Sequence, residues 1–219
     1  GIIVGFPLLT SYALKLVPAK HGAVLVGFAP ALTAIMAVLR SNERPGLLFW
    51  LASALGVVAT FVFALVQGAG SVQAGDALLF LAIVLLSLGY TEGGKVSREL
   101  GSLQVISWSL VFSTPFLIIP VITDFLAHPP AGSTLAWACF AYISLVSMFL
   151  AYIAWYRGLA LGGIAAVGRV QLIQPLLTLL WSGLLGELIE PLTLVAALMV
   201  IASVILSRRS RITQVPKKV

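Results

Sequence analysis

Glu92 stands in the apolar run 76–93, where a carboxylate is costly to hold charged. Insertion scales put that cost at about 2.5–3.5 kcal/mol unless the group is paired, hydrated or protonated. Uptake and release of a proton, as in a proton-coupling site, is the chemistry such a position would offer. The competing reading is an i,i+3 ion pair with Lys95 or a cap near a helix end. Gly89 and Gly93 flank the acid as Gly-x-x-x-Gly, a spacing that lets a neighbouring helix approach closely, so packing alone accounts for the glycines.

Gln171 and Gln174 form a second group, three apart on one helical face and directly before Pro175. Their amides offer donors and acceptors to a polar or zwitterionic solute; helix-to-helix hydrogen bonding is the plainer use. Arg169 precedes them, close enough to a helix end for its head group to reach the interface. Tyr12 and Tyr152 each bring a phenol to corresponding segments. Trp50, Trp108, Trp137, Trp155 and Trp181 fall near predicted helix ends, where interfacial anchoring is the default. No P-loop, Ser/His/Asp set or paired catalytic carboxylates occur, which removes an ATP-driven pump within this chain and most enzymes. The single Cys139 supplies neither a disulfide framework nor a metal cluster, and no cofactor is implied.

The elements that must position these residues repeat. Sliding the sequence by 145 positions aligns Leu14 with Leu159, Leu16 with Leu161, Pro30 with Pro175 and Thr33 with Thr178, and a one-residue adjustment brings Glu43 onto Glu187. Each copy carries a proline inside an apolar segment, where it removes a backbone hydrogen bond. Paired interruptions at corresponding places in two repeats point to the substrate site of a carrier, with Pro30 and Pro175 on its walls.

Composition sets the solvent. The chain is 60% hydrophobic and 9% charged, with a mean hydropathy of +1.10, against about 25% charged in soluble domains. Apolar runs of about 17–22 residues match the length a helix needs to cross roughly 30 Å of hydrocarbon. Eight crossings are predicted: 1–17, 23–39, 46–67, 76–93, 103–123, 135–156, 164–185 and 191–206. Short connections rich in turn residues, such as 41–45, 68–71 and 128–132, leave no room for a soluble domain.

Charge gives orientation. The basic residues Arg208, Arg209, Arg211, Lys217 and Lys218 follow the last crossing, and Arg40, Arg44, Lys95, Arg98 and Arg157 fall in alternate connections on the same side. The loops with Asp76, with Asp124 and His128, and with Glu187 and Glu190 hold no Lys or Arg. The basic side is therefore predicted to be cytoplasmic, with both chain ends there. The net charge of +6 is explained by this bias and not by nucleic-acid binding.

The repeat maps the first three crossings onto the sixth, seventh and eighth. An odd offset of five makes the copies inverted. The expected architecture is an all-α integral membrane protein of two inverted five-helix repeats, a ten-helix fold with about eight transmembrane helices in this chain. Residues 1–68 would be the last three helices of the first repeat, 69–209 the second repeat and 210–219 a basic cytoplasmic tail. The first two helices would lie upstream of Gly1, which opens directly in apolar sequence.

The segments Pro30-Ala31-Leu32-Thr33 leading to Glu43-Arg44, Gln174-Pro175-Leu176-Leu177-Thr178 leading to Gly186-Glu187, Gly89-Tyr90-Thr91-Glu92-Gly93, and Ala151-Tyr152 with Trp155 resemble the drug/metabolite transporter superfamily, in particular its EamA-type members. The likeness covers essentially the whole chain. It implies a secondary carrier of the bacterial inner membrane working by alternating access, often an exporter of amino acids, related metabolites or toxic compounds. Its partners would be a small-molecule solute and the lipid bilayer, with proton coupling open. The alternatives are a nucleotide-sugar-type exchanger or importer, an intramembrane enzyme, and a membrane scaffold without transport.

Overall fold

The computed structural model describes residues 1–18, 22, 25–66, 73–129, 131–174, 177, 180, 181, 184, 195, 198, 199, 201–203, 205, 206 and 212–214. Expectations for Pro175, Glu187 and Glu190, for the crossing 191–206 as a whole and for the basic residues of the tail lie outside this set.

The described chain is mostly helical: α1 (Gly5–Ala13), α2 (Ala29–Ser41), β1 (Glu43–Pro45), α3 (Leu47–Val66), α4 (Ala74–Leu100), α5 (Ser102–Ala127), α6 (Thr134–Tyr142), a π-helical stretch (Ile143–Leu150), α7 (Ala151–Gly162), α8 (Ile164–Gly168), a 3₁₀ stretch (Arg169–Ile173) and β2 (Ile212–Gln214). Among the described residues, three continuous helices are long and apolar enough to cross a membrane: Ala74–Leu100, Ser102–Ala127 and Thr134–Gly162, the last formed by α6, the π stretch and α7. Ala29–Ser41 and the described stretches Leu47–Ala59, within α3, and Ile164–Ile173 are apolar as well. The first predicted crossing is helical only over α1, about 14 Å long at 1.5 Å per residue, and gives way to turns before Pro18.

The long helices outrun their predicted ends because their stops are specific. At the start of α4, Gln73 and Asp76 form a capping box, the Gln73 N–H donating to Asp76 Oδ2 at 2.8 Å. Nothing then breaks the helix until Gly101. Gly101 (φ 86) and Gly163 (φ 87) are single-residue corners between α4 and α5 and between α7 and α8, in a backbone region that glycine alone occupies without strain. Glu92 therefore sits in the body of α4, two turns before its end.

The loop 41–45 is more than a turn. Asn42 ends α2 in the left-handed region (φ 54), a conformation Asn tolerates. The next three residues form β1, antiparallel to β2, with Glu43 opposite Gln214 and Pro45 opposite Ile212. Two short strands thus join the otherwise helical described chain, and Ile212–Gln214 lies at the same end of the molecule as the α2–α3 connection.

Helix α4 is central, with α1, α2, α5, α7 and α8 against it. Small residues make this possible: Ala34 and Ala37 of α2 and Ala82 of α4 are fully buried, and helices in lipid associate by such close van der Waals contact. Gly89 accommodates Ile2, and Gly93 lies against the Tyr156 ring. The Gly-x-x-x-Gly pair is a packing device. By contrast α5 exposes Phe112, Phe116, Ile119 and Leu126, as a helix facing acyl chains does.

Candidate functional site

The apolar segments that carry Pro30 and Gln171 pack against each other over their described residues. Helix α2 runs antiparallel to the 164–173 segment, since Glu43, just past the end of α2, meets Ile164 and Ala165, while Thr33, ten residues earlier, meets Gly168. Both segments tighten at the same repeat position. Residues Arg169–Ile173 are 3₁₀, and the corresponding residues 25–28 hold a turn in which the Phe28 N–H donates to the Leu25 carbonyl at 2.9 Å, also an i to i+3 bond. Such stretches in mid-segment mark strain or hinges. One detail is corrected: Pro30 is buried in the first turn of α2, where its missing N–H would have been unpaired anyway. The interruption lies just before the proline.

Polar side chains collect at this crossing. Thr33 is fully buried, its hydroxyl 3.4 Å from Ser87 Oγ; Thr91 Oγ1 donates to the Ser87 carbonyl at 2.9 Å. Gln171 Nε2 donates to the Gly168 carbonyl at 3.1 Å, so this amide is held at the crossing by its own segment.

An aromatic cluster stands between α4 and α7. The Tyr90 ring centroid is 5.4 Å from Trp155 and 6.4 Å from Tyr152, and Tyr152 is 6.1 Å from Tyr156. Trp155 is packed among helices instead of anchoring at an interface, which corrects its default reading. Its Nε1 is buried with no hydrogen-bond partner among the described residues, a costly arrangement in a folded interior.

Glu92 faces two cations. Arg40 Nε lies 2.6 Å from Oε1 and Lys95 Nζ 3.1 Å from Oε2, so the i,i+3 pair expected as the plainer reading is present and Arg40 of α2 joins it. All three side chains are half-exposed. Beside them a cavity of about 670 Å³ opens among residues 1–3, α4, α5 and α7, with Glu92, Gln104, Ser109 and Tyr156 on its wall.

Other predicted site residues are not brought to this centre. Tyr12 is 67% exposed on α1, with Lys15 Nζ 5.4 Å from its ring centroid, and it does not join Tyr152. Gln174 is exposed, and Arg169 opens the 3₁₀ stretch half-buried; each has an interaction partner.

Sequence reasoning missed the most deeply buried carboxylate among the described residues. Glu43 is completely buried and accepts the backbone N–H groups of Ile164 and Ala165, both at 2.8 Å. Arg98 Nη2 reaches its Oε1 at 3.2 Å, while Arg98 Nε donates to the Ala160 carbonyl at 3.2 Å. Removing one partner of a buried, hydrogen-bonded charge costs about 3–5 kcal/mol. The repeat marked Glu43 through its match to Glu187, but its partners are 55 and 121 residues away.

Known proteins share this arrangement of sequence. The chain is 47% identical over 188 residues to YdeK of Bacillus subtilis (strain 168), an uncharacterized transporter, covering 84% of this chain and 64% of that protein. It is 25% identical over 224 residues to YyaM of the same organism, also an uncharacterized transporter, covering 98% and 72%. A probable terminal-alkyne amino-acid exporter of Streptantibioticus cattleyicolor (strain ATCC 35852 / DSM 46488 / JCM 4925 / NBRC 14057 / NRRL 8057) is 23% identical over 196 residues, covering 88% and 65%. A crystal structure superposes with a TM-score of 0.76 at 16% identity, covering 93% of this chain and 71% of that one, a likeness of fold alone. The EamA-like transporter model matches residues 1–65 and 73–209, and the chain belongs to that family of membrane transporters.

Proposed function

We propose that this chain is the larger part of a secondary carrier that exports small metabolites, amino acids among them, by alternating access. The observation that carries the reading is the pair of tightened turns at corresponding positions, 25–28 and Arg169–Ile173, in two antiparallel segments that cross at Thr33 and Gly168. Interrupted segments of this kind free backbone groups for a solute at mid-membrane. Around the crossing, Gln171, Thr33 and Ser87 offer hydrogen bonds, and Tyr90, Tyr152 and Trp155 offer an aromatic wall with one unused indole donor. Polar groups beside aromatic faces suit a zwitterion with an organic side chain, in keeping with the exporter among the relatives.

The same reading takes residues 1–68 and 69–209 as parts of two inverted five-helix repeats in a ten-helix protein. The basic face carrying Arg40, Arg44, Lys95 and Arg98 is then cytoplasmic, as the positive-inside rule requires. Pro30, Pro175, Gln174, Arg169 and Tyr152 remain assigned to the solute path, whereas Tyr12, exposed on α1 and apart from Tyr152, is not kept in it. Glu92 is assigned the coupling role: drawing α2 away from α4 removes Arg40, and proton uptake beside the cavity requires that Lys95, on the same helix, swing away as well.

Flux assays on proteoliposomes of the protein, using labelled amino acids with and without a pH gradient, test the reading. Saturable efflux accelerated by the gradient is expected. Absence of flux for every amino acid and related metabolite offered would sink it.

A further inference from the structure

We propose that Glu43 is a releasable clasp between the two halves of the chain, holding shut the face on which the basic residues gather. The proposal rests on the transport reading above and adds the part that must let go.

Four strands of observation converge on this carboxylate. First, Glu43 follows α2, whereas every group it binds lies beyond residue 93: Arg98 at the end of α4, and Ile164 and Ala165 at the start of α8. Second, α8 has no side-chain cap of its own; the corner at Gly163 (φ 87) turns its first N–H groups toward Glu43, which serves as the missing cap from 121 residues away. Third, Arg98 also binds the Ala160 carbonyl, so one side chain joins the ends of α4 and α7 to the clasp. Fourth, the strand that carries Glu43 is paired with Ile212–Gln214, which straps the loop in place.

The geometry leaves little freedom. Because Glu43 lies just past α2 and Ile164 opens the segment leading to Gln171, α2 cannot part from α8 at this end without stripping two N–H groups and a guanidinium of their partner. The nearby Arg40–Glu92–Lys95 group is half-exposed, and water can replace its contacts. The buried clasp and not this exposed group therefore sets how firmly the face stays closed.

Thr33 is fully buried ten residues before the clasp on α2, where that helix meets Ser87 and Gly168, and reports on whether α2 and the 164–173 segment part. In a Cys139→Ser background carrying Thr33→Cys, membrane-impermeant thiol reagent is applied to inside-out and right-side-out vesicles. Glu43→Ala should raise labelling from the β1 face on the order of tenfold by shifting the population toward the open state. Glu43→Gln, which keeps an acceptor but loses the charge for Arg98, should give a smaller rise, and Arg98→Met a rise of similar size. Unchanged labelling in folded, monodisperse Glu43→Ala and Arg98→Met protein would overturn the clasp. So would failure of all three variants to fold, since Glu43 would then be a permanent architectural cap. The labelling needs no solute, so a negative result would leave the transport reading standing, and a failed flux assay would leave the clasp to be judged separately.

Discussion

Gly168 presents its bare Cα to Thr33, so closely that a Cβ built at 168 would come within 2.9 Å of Thr33 Cγ2. This contact fixes the crossing of α2 with the second interrupted segment. Gly168→Ala should destabilise the protein by about 1–3 kcal/mol through overpacking. Adding Thr33→Ser, which deletes Cγ2 and keeps the hydroxyl near Ser87, should restore most of it. A double-mutant cycle on thermal unfolding in detergent measures this; additive effects would show that the two residues do not constrain one another.

Two other glycines should respond in opposite directions to the same change. Gly163 is at φ 87, and a Cβ there would make ordinary contact with the Glu43 carboxylate, Oε1 being nearest at 3.5 Å. Gly163→Ala is therefore limited by backbone strain of about 1–3 kcal/mol and should lower the melting temperature. Gly158 lies inside α7 with Val167 Cγ1 at 3.5 Å, an ordinary contact. Gly158→Ala should be neutral or stabilising by about 0.5–1 kcal/mol.

Trp155 tests whether the unused indole donor serves the solute. Trp155→Phe keeps an aromatic ring against Tyr90 and removes a buried N–H that has no partner among the described residues. Thermal stability should hold or rise slightly. The apparent affinity for an exported amino acid should fall roughly threefold to tenfold, the worth of one hydrogen bond. Unchanged affinity in the flux assay would take Trp155 out of the solute path.

Glu92 separates coupling from structure. Arg40→Gln and Lys95→Gln each remove one half-exposed pair and should change stability by less than about 1 kcal/mol. Glu92→Gln should abolish the acceleration of transport by a pH gradient while solute exchange persists. Retention of the full gradient effect in Glu92→Gln would reduce the residue to a salt-bridge partner.

The sequence alone determined the solvent, the helical character and the order of segments. Apolar runs that few charges interrupt can be satisfied only by helices in a bilayer, and the match of Pro30-Ala31-Leu32-Thr33 with Pro175-Leu176-Leu177-Thr178 exposed the repeat and with it the family. The repeated prolines drew attention to the neighbourhood of the two tightened turns, at 25–28 and Arg169–Ile173, but Pro30 itself is accommodated in the first turn of α2. What tertiary structure decided is which polar groups meet. Glu43 read as a loop residue beside a turn, and only the return of the chain after Gly163 made it a buried cap. Trp155 and Tyr90 read as an anchor and a helix residue until α4 and α7 packed together, while Tyr12 turned outward on α1. The helix ends moved for the same reason: a corner glycine at 101 or 163 is identified by a positive φ, which depends on what the two flanking helices pack against. Periodicity and composition are properties of neighbours in the chain; burial, pairing and capping across 55 or 121 residues are properties of the fold.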